Sequence, residues 1–202
     1  MNWGEILERW FAIIGHRAPS TGDLSINDLA GSGGRTDVLV RAVNAALFVS
    51  HGIRRDSRIM LHLLGGAGSP RRVLFDGSSI RGLRPDERSI AGQIKSVIRL
   101  PVPPMGRFEQ VSPGISHSGG DLAQTISEWG ARGITPLVMD SDGESHSTIP
   151  ESGSVGFILS DDWPLTESDL APLEGASRVS LGSKWLQGHS CISILHFIMD
   201  DS

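Results

Sequence analysis

The sequence predicts an α/β fold built on a mainly parallel sheet with helices on both faces. Three observations lead there. Short apolar runs rich in Val, Ile, Leu and Phe recur along the chain, segments of helical spacing separate them, and glycines and prolines fall between these elements rather than inside them. The first run, "WFAIIG" at residues 10–15, is a buried strand stopped by glycine. "HRAPSTGDLSINDLAGSGGR" follows as a long polar loop, and loops of that length inside compact folds are uncommon and tend to carry function. In "TDVLVRAVNAALFVSH" the residues Val38, Leu39, Ala42, Val43, Ala46, Leu47 and Val49 fall on one helical stripe, with Arg41 and Asn44 off it. Asp37 suits the positive end of that helix.

"SRIMLHLLGG" and "RRVLFDGS" are strand-like, the second closed by a turn. "RPDERSIAGQIKSVIRL" opens with Pro85 and acids, the composition of a helix start. Residues 101–120 are rich in Pro, Gly and Ser and read as a flexible connection with a short strand near Ile115. A helix at 121–133, a strand at 134–140, a polar loop at 141–154 and a strand "VGFILS" at 155–160 come next. A brief helix at 166–176, a strand "RVSLG" and a last helix "HSCISILHFIMD" finish the chain. In that last helix Cys191, Ile194, Leu195 and Ile198 are expected to form one buried stripe.

With 202 residues, 39% of them hydrophobic, the chain suits one domain. No apolar run approaches the roughly 18 residues of a membrane helix, and "MNWGEILERW" has neither the basic start nor the apolar core of a signal peptide, so a cytoplasmic location is expected. One cysteine allows no internal disulfide and no CxxC metal pair, so no metal site is expected. The net charge of -5 hides an asymmetry: residues 35–107 carry twelve Arg and one Lys against five acids, whereas residues 108–202 carry three bases against 14 acids. Arginine grips phosphate oxygens in pairs and stacks on bases, so the first segment suits an anionic partner on one face.

Common nucleotide and hydrolase signatures are missing. "GSGG" at 31–34 fails the G-x-G-x-x-G spacing because Thr36 stands three beyond Gly33, "GGAGSP" at 65–70 fails too, and there is no Walker lysine, G-x-S-x-G or H-E-x-x-H. Ligands of open α/β sheets sit outside the carboxyl ends of strands. Three such ends, "PLVMDSDG", "FILSDDW" and "VSLGSKWLQGHSC", lie in the acidic half and suit a cationic ligand with an apolar body.

The blocks "GHRAPSTGDLSINDLAGSGGRTDVLVRAVNAALFVSHGIRRD", "FDGSSIRGLRPDERS", "SPGI", "FILSDD" and "VSLGSKWLQGHSCISILH" resemble the archaeal tRNA pseudouridine-54 N1-methyltransferases, the TrmY family of the SPOUT superfamily, over residues 13–200. The resemblance implies a SPOUT-type fold with a deep C-terminal trefoil knot, a homodimer, and S-adenosylmethionine as methyl donor to N1 of a pseudouridine in the tRNA T-loop. It divides the chain into an arginine-rich, RNA-facing part at about 16–107 and a cofactor-binding part at about 134–200. Carried over by position, Leu137, Ser160, Leu181, Gly182, Ser183, Lys184, Trp185, Leu186 and Cys191 would hold the cofactor. Arg35, Arg41, Arg54 and Arg55 would contact RNA, with Arg88 expected to pair with a nearby acid. Asp37 and Asp200 are the candidate bases, with helix capping or arginine pairing the competing role for Asp37 and an exposed terminus that for Asp200. Cys191 is expected to be a wall rather than a nucleophile, because methylating nitrogen needs no covalent adduct. The chain departs from the family pattern at Ser160, where glycine is usual, at Ser183, where proline is usual, and at Phe197 in place of a polar residue. A catalytically impaired RNA-binding relative and a ribosomal RNA pseudouridine methyltransferase are the alternatives.

Overall fold

The computed structural model describes residues 7–200; residues 1–6, read above for a leader, lie outside them. Strand β1 (Arg9–Pro19) runs past Gly15, beyond the expected stop. It is central, pairing in parallel with β4 (Ser57–Gly65) on one side and β9 (Val155–Ser160) on the other. The sheet order is β10-β8-β9-β1-β4-β5-β7-β6, where β8 is Thr135–Ser145 and β10 is Ser177–Ser180. From β10 to β4 every neighbouring pair is parallel. The far edge, β5 (Arg71–Asp76), β6 (Glu109–Ser112) and β7 (Ile115–Gly119), is antiparallel. Part of the expected flexible connection is therefore a hairpin: "EQVS" and "ISHSG" carry too few large apolar residues to announce two strands. A ribbon of β2 (Phe48–Val49) and β3 (Gly52–Ile53) ends helix α1 (Thr36–Leu47) earlier than its apolar stripe suggested.

Alternation along β1 divides the core. Phe11 and Ile13 are buried with the apolar faces of α1, α2 (Glu87–Ile98) and α5 (Gly188–Asp200). Trp10, Ala12 and Ile14 point the other way, towards Trp129 of α3 (Leu122–Ala131) and the segment after α4 (Glu167–Leu170). Each of the Phe and Ile side chains so taken out of water is worth about 1.5–3 kcal/mol before entropy is charged against it. Asp86 and Asp121 cap α2 and α3, accepting from the backbone N–H groups of Ser89 and Gln124.

Two expectations are corrected. On α5 the buried face is Gly188, Ile192, Leu195, His196 and Met199, while Ile194 and Phe197 are exposed. The helix is apolar on two faces, so spacing alone could not choose the inner one. Arg71 and Arg72, counted above with the phosphate-gripping arginines, are wholly buried. Arg71 donates to the carbonyls of Val97 and Leu100 at the end of α2, and Arg72 to the Glu128 carboxylate at 2.8 and 3.0 Å. Among the described residues no helix is long and apolar enough to cross a membrane.

Candidate functional site

The carboxyl ends of the adjacent strands β8, β9 and β10 converge on a cavity of about 630 Å³, a common size for a small-molecule site. One wall comes from a break in pairing: Val138 of β8 faces Arg178 of β10, but the next rung joins Glu144 to Val179, so residues 139–143 bow outwards. Gly143 returns the chain so closely that a Cβ there would lie 2.7 Å from the Arg178 carbonyl carbon. Within this bow the Asp140 carboxyl is held below its usual range, first by the Asp142 N–H at 3.0 Å and then, against burial, by Arg178 at 2.6 Å.

Residues 161–165, with Leu170 of α4, make the second wall. Asp161 accepts from the backbone N–H groups of His16 and Trp163 and from the His16 ring. Asp162 accepts from Arg17 and, at 2.9 Å, from Arg35. Burial would raise the Asp162 carboxyl, but the two guanidiniums hold it below its usual range. The third wall is the turn after β10, with Leu181, Gly182, Lys184, Trp185 and Leu186, closed by Gly188 and Cys191 at the start of α5. Burial pushes the Cys191 thiol up, so it stays protonated.

Of the nine expected cofactor positions, Ser160, Leu181, Gly182, Lys184, Trp185, Leu186 and Cys191 line this cavity. Leu137 packs into the core one residue before the lining begins at Val138, and Ser183 is exposed outside it. The Ser160 hydroxyl donates to the Trp163 carbonyl and so fastens the turn of the second wall. Asp140, Asp161, Asp162 and Trp163 line it as well; the acidic strand ends signalled the carboxylates as a group without ranking them.

The glycine loop reaches the rim. Gly34 has φ +60, and a Cβ there would lie 2.0 Å from the Arg17 carbonyl oxygen, so only glycine lets the loop close on the end of β1. Arg35 is left-handed as well, at φ 63, an uncommon conformation for a non-glycine residue, and functional sites collect such conformations. Its guanidinium joins Asp162 to Asp37 of α1, with Nε 3.0 Å from Asp37. Asp37 is buried, and Arg41 approaches it at 3.5 Å.

Other expected residues lie elsewhere. Asp200 binds Arg9 at 2.6 Å and Arg54 at 2.6 and 3.0 Å, at the amino end of β1. Seven strand steps of about 3.3 Å put that end roughly 23 Å from His16, so within one chain Asp200, exposed as expected of a terminus but engaged by both arginines, lies away from the cavity. Arg54 is committed to this pair, Arg55 donates to the carbonyls of Gly77 and Ile80, and Arg41 pairs with Glu87. Arg88 donates to the neutral Asn27 amide oxygen rather than to an acid. Arg81 and Arg84, not among the expected RNA contacts, are exposed, and their side chains meet no partner among the described residues. Among those residues no group of three His, Cys, Asp or Glu is placed to hold a metal.

Residues 8–202 match the family model for SAM-dependent RNA methyltransferases. The fold resembles that of Archaeoglobus fulgidus Nep1, crystallised with S-adenosylhomocysteine, at a TM-score of 0.67, with 14% identity and coverage of 96% of this chain and 97% of that one. The chain is thus of the SAM-dependent RNA methyltransferase class. It is 39% identical over 195 residues to the tRNA (pseudouridine(54)-N(1))-methyltransferase of Methanocella arvoryzae, covering 95% of this chain and 98% of that protein. With the Haloarcula marismortui enzyme of the same name it shares 37% identity over 195 residues, 95% of this chain and 96% of that one. The chain belongs to this tRNA (pseudouridine(54)-N(1))-methyltransferase family.

Proposed function

We propose that the protein moves a methyl group from S-adenosylmethionine to N1 of the pseudouridine at position 54 of the tRNA T-loop. We also propose that it works as a homodimer and that the cofactor segment, residues 134–200, is the trefoil-knotted part. The observation that carries the reading is the cavity at three strand ends with the Arg35–Asp37 pair on its rim. Its largely apolar walls suit an adenine and a methionine chain. When bound, the cofactor supplies an already activated methyl on sulfur. The chain's own task is to align N1 with that methyl and to take the N1 proton.

Asp37 is the proposed acceptor of that proton, a role that general bases fill at about 10² to 10⁴ in rate. In this structure its two oxygens face Arg35, so Arg35 must turn from Asp37 as the base arrives. A phosphate or base oxygen of the RNA offers it an alternative partner. The exposed arginines 81 and 84 are the proposed backbone contacts, a role that charge already spent within the fold leaves little of for Arg41, Arg54 and Arg55. The homodimer is supported by the outer face of α5, where Ile194 and Phe197 are exposed, and by the exposed Trp185 and Leu186 in the turn before that helix. Incubation with labelled cofactor and a tRNA transcript, with and without pseudouridine at position 54, tests the activity. Methyl transfer that ignores the pseudouridine, or none at all, overturns it.

A further inference from the structure

His16 sits at the end of β1, on the face shared by Trp10, Ala12 and Ile14, with a side chain only 10% exposed. Its ring spans two carboxylates: Nδ1 is 2.9 Å from Asp161 Oδ1 and Nε2 is 3.0 Å from Asp169 Oδ2. A carboxylate only accepts, so both contacts are hydrogen bonds only when both ring nitrogens carry protons, that is, in the imidazolium. The neutral ring must turn a lone pair on one of the two acids. These acids stand at either end of the segment that forms the second cavity wall. Asp161 begins it, holding the Trp163 N–H, and Asp169 of α4 ends it, accepting from the Thr166 N–H and hydroxyl in a capping box. Between them Trp163, Pro164 and Leu165 line the cavity, and Trp163 lies 6.1 Å from the His16 ring.

We propose that His16 is a positioning residue for methyl transfer: as the imidazolium it staples residues 161–170 into the cofactor wall, and its neutral form releases that wall. The inference rests on the cavity being the cofactor site. Burial alone would lower the His16 pKa, but hydrogen bonds to Asp161 and Asp169, with their charges, raise it above 6.5. A raised value in the closed state means the staple is complete below 6.5 and is lost as pH rises through the raised value. The other charged groups nearby are accounted for. Arg17, next on β1, and Arg35, at the start of α1, are both held by Asp162. His62 of β4 is pushed down to about 3 by burial and by Arg72, so it stays neutral throughout. Cys191, across the cavity, is raised above 9 and protonated in this range.

The test is calorimetric binding of S-adenosylhomocysteine from pH 5.5 to 8.5 to the wild type, His16→Gln and Asp169→Asn. The ligand's own titration is common to all three, so differences between them report the protein. Wild-type affinity is expected to fall about tenfold across the range, with proton uptake on binding near the midpoint. His16→Gln, which keeps one donor, is expected to bind at the weak level at every pH. In Asp169→Asn the amide oxygen replaces Oδ2, which alone meets the ring, the Thr166 N–H and its hydroxyl, so the cap is kept, one carboxylate charge on the ring is lost, and the fall in affinity is expected at lower pH than in the wild type. Wild-type binding that does not change with pH, or a His16→Gln profile that keeps the wild-type slope, overturns the staple alone. No binding by the wild type at any pH overturns the cofactor reading of the cavity and the staple with it.

Discussion

The two ends of strand β1 are built from the same residue types and do different things. At the carboxyl end Arg17 and Arg35 share one acid, Asp162, on the wall of an open cavity. At the amino end Arg9 and Arg54 share one acid, Asp200, and no cavity adjoins them among the cavities described. There the buried His196 completes the joint: its Nδ1 accepts from Arg9 and its Nε2–H donates to the Ala46 carbonyl, tying α5 to β1 and α1. Burial and the nearby Arg54 and Arg9 charges push His196 down to about 4, which fits this neutral tautomer. An arginine-aspartate pair can thus close a fold or stand at a site. What separates the cases is whether the pair borders space a ligand can enter and whether its arginines have a second place to go.

The largest expected effect lies at the carboxyl end. Asp37→Asn keeps the size of the side chain and one of its two hydrogen bonds from Arg35 but removes the proton acceptor, so methyl transfer should fall about 10² to 10⁴-fold. S-adenosylhomocysteine binding should stay within about twofold, because Asp37 stands on the rim rather than in the lining. Single-turnover rates and calorimetry on the same preparation check this; equal losses in both would make Asp37 part of the scaffold.

Next comes the outer surface of α5. Phe197 is 69% exposed and Ile194 lies one turn away, so Phe197→Asp should turn the proposed dimer into monomers at micromolar concentration while leaving the fold intact. Sedimentation velocity reads the mass, and an unchanged dimer would move the interface elsewhere.

A smaller effect separates exposed arginines from committed ones. The double variant Arg81→Ala with Arg84→Ala should weaken tRNA binding about tenfold and flatten the log-log salt dependence by about one to two units, in keeping with up to two lost phosphate contacts. Arg55→Ala, whose guanidinium serves the Gly77 and Ile80 carbonyls, should leave that slope unchanged and lower stability instead. Filter binding across a salt series distinguishes them, and equal slopes for the two variants would erase the distinction.

Much of this was legible beforehand, for identifiable reasons. Apolar runs such as "WFAIIG" and "VGFILS" are fixed as strands by composition alone, and the three strand ends followed from where those runs stop. Residues 181–186, which the family resemblance carries over one by one, lie at one of these ends and line the cavity, with Ser183 the exception, exposed outside it. What depended on distant pairing was not legible. Nothing local in "FIMD" tells that Asp200 meets Arg9 across 191 positions, and nothing in "RRVLFD" tells that both arginines are buried. Nothing local marks His16 among the seven histidines, because Asp161 and Asp169 lie 145 and 153 positions away. Charge counts report a segment's total; only the fold reports how much of it is already spent.

The smallest expected effect tests the amino end as a joint of the fold. The Asp200 carboxyl is held at about 2, first by its hydrogen bonds to Arg54 and then, against a smaller cost of burial, by Arg9. A depressed value means its contribution is present above the ordinary carboxylate range and is lost as pH falls from about 4 towards 2. At 1.36 kcal/mol per pKa unit the full shift would be worth about 2.4 kcal/mol, but the side chain is 42% exposed and water screens the pair, so about 1 kcal/mol is expected. Asp200→Asn should therefore lower the Tm at pH 7 by about 2–4 °C for a chain of this length. The difference from wild type should shrink as pH approaches 3, where the wild-type carboxylate begins to lose its own advantage. Methyl transfer and S-adenosylhomocysteine affinity at 25 °C should be unchanged within one chain's site, since the cavity lies some 23 Å up the strand. If activity instead fell sharply at unchanged stability, the amino end of one subunit would have to serve the cavity of the other, and the division between the two ends of β1 would hold only within a single chain.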